Sequence, residues 1–320
     1  MNETEKTPKS GSRMLGNLLL TLTALIWGTA FVGQRAGMDS IEPITFCASR
    51  MWLSAAAVGL VAWLTGRRER TLADEARAER NRNTLLGGLG CGFFLATATI
   101  FQQMGLVTTS AGKAGFITAM YMLLVPIIGF VLLKQRNTWL VWLAVLIGVA
   151  GMYLLCITEG FSLTTGDALV CACALLFSGH ILCCDHFAPR ANPVHMSAIQ
   201  FLVAAVISTV AAFISEQPSW DKVVSAAVPI LYCGLMSGGV GYTLQIVAQR
   251  WTDPTVASLL MSLEAVFAAL AGAVILGERM TSRELIGCVV MFLAIILVQI
   301  PLPRKPSREG EVVPAKGRLG

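Results

Sequence analysis

Long apolar runs separated by short polar intervals follow one another along almost the whole chain. A hydrocarbon core about 30 Å thick takes roughly 20 apolar residues of helix, which is the length of these runs. Helices satisfy every backbone polar group within their own segment, and the runs lack the alternation of a transmembrane β-barrel strand. The pattern therefore predicts an all-α integral membrane protein. Its ten predicted spans are residues 15–35, 43–65, 85–107, 111–133, 138–157, 166–187, 193–215, 226–248, 254–276 and 282–300.

The second half of the chain repeats the apolar and polar phase of the first half. Residues 99–157 align without a gap onto residues 242–300 at an offset of 143, and earlier segments align at an offset of 150. The paired positions include Gln102 with Gln245, Tyr121 with Glu264, Trp27 with Phe177, Arg50 with Gln200 and Ala30 with His180. Paired halves of this kind are typical of transporter folds.

Each half holds five predicted helices, so the second half must enter the membrane from the opposite side to the first. We therefore predict two inverted five-helix repeats, residues 15–157 and 166–300. Polar tails at residues 1–14 and 301–320 flank them. Both tails are expected to be cytoplasmic.

Composition excludes an ordinary soluble domain, because only 13% of residues are charged where about a quarter would be usual. With both termini placed inside, eighteen of the 24 Lys and Arg residues fall on the cytoplasmic side and five outside, with Arg50 inside a span. This asymmetry follows the positive-inside rule. Acidic residues interleave the basic stretch 66–83, which favours a solvated topology determinant over a nucleic-acid site. The expected surroundings are the lipid bilayer, with no nucleic-acid partner.

Two charged residues lie well away from the ends of predicted spans, at depths where charge is costly and usually faces a cavity or a partner. Glu264 is roughly ten residues from the cytoplasmic end of the ninth span, and Arg50 is about seven from the external end of the second. Their heights then differ by roughly 5 Å, so the two side chains could interact. Glu264 is expected to bind a proton or a cationic substrate group, or to lock its helix structurally. Arg50 has two open roles, a structural anchor or a carboxylate ligand.

Four further side chains are candidates for the same pathway. Gln102 and Gln245 are related by the repeat, and their amides can bind a polar metabolite or join helices. Tyr121 is the repeat partner of Glu264, so a phenol in one half would face an acid in the other. Trp27 is a candidate aromatic wall, although packing is the commoner role of such residues.

The sixth span holds the rival constellation, in which His180 and Cys184 stand four residues apart on one helical face. This spacing can present two metal ligands. No second ligand pair is evident on another helix, and a histidine that bonds across the bundle is the commoner outcome. We therefore predict no metal site, keep His180 as a cavity residue, and expect the cysteines to pack as small apolar residues.

Catalytic motifs are absent from the sequence, including the nucleophile elbow, the phosphate-binding loop, the zinc-protease helix and the dinucleotide fingerprint. We predict that the chain is not an enzyme and needs no cofactor.

Three stretches resemble the EamA-type branch of the drug/metabolite transporter superfamily: Ala24 to Val32, Thr109 to Ile117, and Leu260 to Leu270 followed by Leu276-Gly277-Glu278-Arg279. The resemblance implies a ten-helix inner-membrane carrier that exports or exchanges small metabolites, such as amino acids, through a central cavity. The family often has Glu-Pro where this chain has Glu264-Ala265, which argues against the usual proline break in the ninth span.

Together these features predict a multi-pass secondary transporter of a small polar metabolite, working by alternating access, exporting it, and coupled to protons through Glu264. The predicted pathway residues are Trp27, Arg50, Gln102, Tyr121, His180, Gln245 and Glu264. The alternative is an intramembrane metal or redox protein built on the cysteines and histidines of the sixth span. A homodimer is left open.

Overall fold

A computed structural model describes residues 10–66, 74–109, 111–135, 137–157, 164–275 and 281–299, and these residues are all-helical. The helices are α1 Ser10–Met38, α2 Pro43–Gly66, α3 Asp74–Leu106, α4 Ala111–Ala119, α5 Tyr121–Leu133, α6 Trp139–Cys156, α7 Thr165–Phe187, α8 Pro193–Ser215, α9 Trp220–Ser225, α10 Ala227–Tyr232, α11 Thr243–Ala248, α12 Pro254–Met261, α13 Glu264–Ile275 and α14 Ser282–Gln299. A π-helical segment, Cys233–Tyr242, joins α10 to α11. The C-terminal tail, most of the N-terminal tail and the motif at 276–279 lie outside the described residues.

Eight stretches of the described chain are long and apolar enough to cross a membrane. They are Gly11–Met38, Pro43–Thr65, Glu75–Leu106, Ala114–Leu133, Thr165–Phe187, Pro193–Ser215, Ala227–Ala248 and Pro254–Ala271. These eight coincide with eight of the ten predicted spans. At the two other predicted positions lie a shorter apolar helix, Trp139–Leu155, and α14, which pack against each other.

Close helix crossings depend on glycine, as is usual for helices that pack in lipid. A Cβ atom on Gly28 of α1 would lie 2.6 Å from the carbonyl oxygen of Glu264 and 2.6 Å from Cβ of Phe267. At the α6–α14 crossing, a Cβ on Gly287 would lie 2.6 Å from the backbone nitrogen of Leu155. Backbones therefore touch directly at both crossings, and the first of them is beside Glu264.

The fourth and ninth predicted spans are each broken into two helices. The breaks fall at Met120 and at Ser262-Leu263. The ninth span breaks without a proline, because short-range bonds tighten the chain: the Leu263 amide donates to the Leu260 carbonyl (3.2 Å), and the Ser262 hydroxyl donates to the Leu259 carbonyl (2.7 Å). The sequence argument against this break was therefore wrong. Each break is followed at once by a candidate site residue, Tyr121 or Glu264.

The π-helical segment owes its close packing to glycines. A Cβ on Gly234 would lie 2.8 Å from the side chain of Leu53 on α2, and the Ser54 hydroxyl donates to the Gly234 carbonyl (2.7 Å). Segments of π-helix are frequent at functional sites. This one ends at Tyr242, which faces the centre of the bundle.

Candidate functional site

A single cavity near the middle of the bundle collects all the candidate residues. Its empty space is about 500 Å³, of which about 40 Å³ is open to the centre of a water molecule. The lining comprises Trp27, Phe31, Gln34, Arg50, Gln102, Thr118, Tyr121, Phe177, His180, Ile181, Ser237, Tyr242, Gln245, Met261 and Glu264. Since one water centre needs about 10–15 Å³, this conformation admits only a few waters.

Tyr121 and Glu264 bond directly across the two halves. The phenol donates to Glu264 Oε1 at 3.0 Å, and both residues are buried, at 3% and 6% exposure. Each is the first residue after the break in its span, and they are repeat partners at the offset of 143. The break ends one helix and starts another, which directs both side chains into the cavity. The acid and the phenol therefore form a pair where the two halves meet.

Arg50 faces the same cavity but does not bind Glu264. Among the described residues its side chain makes one hydrogen bond, from Nη2 to Cys47 Sγ at 3.7 Å, and its Nε makes none. Its guanidinium also lies 5.7 Å from the centre of the Phe46 ring. Among the described residues no carboxylate pairs with this cation. The contact that the sequence allowed between Arg50 and Glu264 does not form, so a buried positive charge faces the cavity without a counter-charge from the described residues.

The repeat-related amides have different partners. Gln102 Nε2 donates to the Thr118 hydroxyl at 3.2 Å. Gln245 Nε2 donates to Gln249 Oε1 at 3.0 Å, and Gln249 in turn donates to the Ile181 carbonyl at 3.0 Å. Gln245 Oε1 accepts no hydrogen bond from the described part of the chain. An acceptor thus stands free beside the cavity, able to receive an N–H or O–H donor.

Aromatic rings form one wall. Trp27 donates from Nε1 to the Ser237 carbonyl at 3.1 Å, and its ring lies 4.6 Å from that of Tyr242. The Tyr242 ring also meets the His180 ring edge-on at 5.8 Å. Sequence reasoning missed Tyr242, because its repeat partner, Thr99, carries no ring. It also missed Gln34, a buried amide one helical turn from Phe31, although an amide inside an apolar run was a readable signal.

His180 is fully buried and bonds across the bundle, as the sequence argument expected. Its Nε2 lies 3.0 Å from Gln200 Oε1 on α8. Two thiols lie close to the same ring, that of Cys184 from the same helix and that of Cys91 from α3. The contact with Cys91 was not predicted, because it is 89 residues from His180 in the sequence and on another helix.

A wider vestibule lies at the end of the bundle that carries the α1–α2 loop. Phe31 lines both this vestibule and the central cavity, so its ring separates them. Glu42 of the loop forms an ion pair with Lys222 of α9 at the vestibule wall. This hydrogen bond from Lys222 lowers the pKa of the Glu42 carboxyl. The pair ties the first half of the chain to the second at this end.

Comparison with known proteins gives consistent results. The profile of the EamA-like transporter family matches twice, at residues 14–157 and 164–300. An uncharacterized transporter of Archaeoglobus fulgidus is 28% identical over 288 residues, which cover 90% of this chain and 87% of that protein. The uncharacterized transporter YwfM of Bacillus subtilis is 24% identical over 306 residues, covering 91% and 97%. A solved crystal structure shares the fold, with a TM-score of 0.72 at 19% identity over 91% of this chain and 97% of that chain.

Proposed function

This chain belongs to the EamA-like transporter family, and from that premise we propose that it is a secondary transporter of a small, polar, amino-acid-like metabolite. It works by alternating access, exports its substrate across the inner membrane, and couples export to protons through Glu264. It is a carrier and not an enzyme, with both termini in the cytoplasm. A homodimer stays a prediction.

The helix contacts support two inverted five-helix repeats, residues 15–157 and 166–300. Helix α1 of the first half packs on α13 and on the π-helical segment, which both belong to the second half. Helix α7 of the second half packs on α5 and on α3, which both belong to the first half. When each helix is replaced by its counterpart in the other half, the contacts of α1 become the contacts of α7. The contacts α2–α8 and α6–α14 each join two counterparts, so the same exchange leaves them unchanged. Such a pattern is expected of a two-fold axis in the membrane plane, and the two family matches divide the chain at the same place.

The observation that carries the proposal is that no described carboxylate pairs with Arg50, which lines the same cavity as the Tyr121–Glu264 pair. A substrate carboxylate would supply the missing partner of the guanidinium, which binds carboxylates in a bidentate manner. The free acceptor on Gln245 suits a substrate N–H group. The ring of Trp27 offers an apolar wall. This set of groups favours a molecule with a carboxylate and a nearby donor, which describes an amino acid.

Glu264 is the group that we propose for proton coupling. It is the one acid in the cavity lining, and its bond to Tyr121 joins the two halves. A proton on the carboxylate would weaken that bond, because hydrogen bonds to charged acceptors are stronger than neutral ones. Protonation therefore changes how firmly the halves are held together. Phe31 separates the narrow cavity from the vestibule, so the protein must open there before substrate passes from one to the other. The predicted topology puts the vestibule on the external side of the membrane.

A binding screen tests the substrate class. Purified protein is heated with a panel of amino acids and related metabolites, and a ligand at a hundred times its Kd should stabilise it by about 2.7 kcal/mol. Gln102→Leu should reduce this shift. Gln103→Leu is the matched control, because Gln103 is a buried amide on the same helix but outside the cavity lining. Equal shifts in both variants would place the ligand elsewhere.

Counterflow in proteoliposomes tests coupling. Wild type should accumulate the identified ligand when a pH gradient is imposed. Glu264→Gln should still exchange labelled for unlabelled ligand but should lose the response to the gradient. Transport that keeps its pH response in Glu264→Gln would contradict the proposed coupling, while loss of exchange as well would make Glu264 a substrate ligand.

A further inference from the structure

We propose that Cys91, His180 and Cys184 bind a thiophilic metal cation of the zinc class in the wall of the central cavity. The cation would be a fixed constituent of the cavity wall and not the transported metabolite. The three side chains are already close together in this structure, and all three are completely buried.

The distances suit one cation. The two sulfur atoms of Cys91 and Cys184 are 3.5 Å apart, and Cys184 Sγ is 3.9 Å from His180 Nδ1 and 3.8 Å from Nε2. All three ligand atoms lie within 4.8 Å of one another. A tetrahedral zinc ion, with bonds of about 2.3 Å to sulfur and 2.0–2.1 Å to nitrogen, sets ligand atoms about 3.5–3.8 Å apart. The Cys91–Cys184 and Cys184–His180 separations are thus close to those between ligands of a single ion, and the Cys91–His180 separation is within 4.8 Å.

The surroundings of the histidine fit the same site. Gln200 Oε1 accepts the Nε2 hydrogen at 3.0 Å, so Nδ1 carries the lone pair. Metal-bound histidines usually donate their second N–H to such an acceptor, which orients the ring. The Gln200 bond accounts for a buried histidine by itself. It does not account for two thiols that converge on that ring from two different helices.

Charge balance also favours a divalent ion here. Binding requires both thiols to be deprotonated, and their two protons leave to solvent as the metal enters. Two thiolates and a neutral imidazole then neutralise the charge of Zn²⁺, so no net charge remains in the apolar interior. A hard cation such as Mg²⁺ prefers oxygen ligands and is excluded.

The test is metal binding to the purified full chain after removal of bound metal. We expect wild type to take up one equivalent of Zn²⁺ or Cd²⁺, to show thiolate charge-transfer absorption with Cd²⁺, and to ignore Mg²⁺. Cys91→Ser and Cys184→Ser should each weaken Zn²⁺ binding by at least about tenfold. Cys173→Ser is the matched control, since Cys173 is a fully buried thiol of the same helix outside the cluster.

X-ray absorption of the zinc-loaded wild type gives a second readout that does not depend on how the variants fold. Sulfur neighbours at about 2.3 Å and a nitrogen neighbour at about 2.0–2.1 Å would support the site. A shell of oxygen neighbours, unchanged affinity in both variants, or no uptake by wild type would overturn it. None of these results depends on whether the chain transports an amino acid.

Discussion

The bond between Tyr121 and Glu264 permits a quantitative prediction. Tyr121→Phe removes only the hydroxyl that donates to Glu264 Oε1 at 3.0 Å, and both residues are buried, so water does not replace the lost partner. A hydrogen bond to a charged acceptor contributes about 1.5–3 kcal/mol. Neutral side-chain bonds between membrane helices average about 0.6 kcal/mol. The coupling energy of the pair should therefore report whether Glu264 is ionised.

The assay is a double-mutant cycle on reversible unfolding in micelles, with wild type, Tyr121→Phe, Glu264→Leu and the double variant, because leucine cannot accept the Tyr121 hydrogen bond. At alkaline pH we expect a coupling of about 1.5–3 kcal/mol, because the acceptor is a carboxylate. As the pH falls and the carboxyl gains its proton, the coupling should fall toward about 0.6 kcal/mol. The coupling energy is larger at high pH because the ionised carboxylate is the stronger hydrogen-bond acceptor.

The matched control is Tyr242→Phe in combination with Glu264→Leu. Tyr242 lines the same cavity and is similarly buried, at 8% exposure, but it has no bond to Glu264. Its coupling should be close to zero at every pH. If the coupling of Tyr121 to Glu264 is also zero, the bond does not stabilise the protein. If it is large but constant with pH, Glu264 does not take up a proton in that range.

Two further predictions concern packing and the vestibule. Gly28→Ala should destabilise the protein by about 1–3 kcal/mol in the same unfolding assay, because the added carbon meets backbone on α13 at 2.6 Å. Gly59→Ala has open space around it and should be neutral or stabilising, so equal losses in the two variants would contradict the packing argument. Glu42→Gln should lower thermal stability slightly at neutral pH, by less than about 1 kcal/mol, because the ion pair with Lys222 is partly exposed. Since the folded pKa of Glu42 is lowered, this difference should be present above pH 4.5 and vanish as the pH falls through the folded pKa; a difference that persists in acid would refute it.

The sequence alone determined the membrane class and the positions of eight of the ten predicted spans, and it predicted the pairing of the halves. Span length depends on bilayer thickness, and the positions of polar residues inside apolar runs can be read directly. For this reason Glu264, Gln102 and Gln245 were identified as candidates before any fold was known. The repeat offset also identified Tyr121 as the counterpart of Glu264.

Tertiary structure alone decided which side chains meet. Lipid and the interior of a helix bundle are equally apolar, so periodicity does not reveal which face of a span turns inward. The sequence therefore did not show that Tyr242 completes the aromatic wall, that Arg50 stands apart from Glu264, or that Cys91 reaches His180. It also argued against the break before Glu264, because that break rests on short-range bonds at Ser262 and Leu263 and needs no proline. Contacts between residues far apart in the sequence depend on which helices lie side by side. The glycines allow close crossings, but the sequence does not show which helix will cross at each of them.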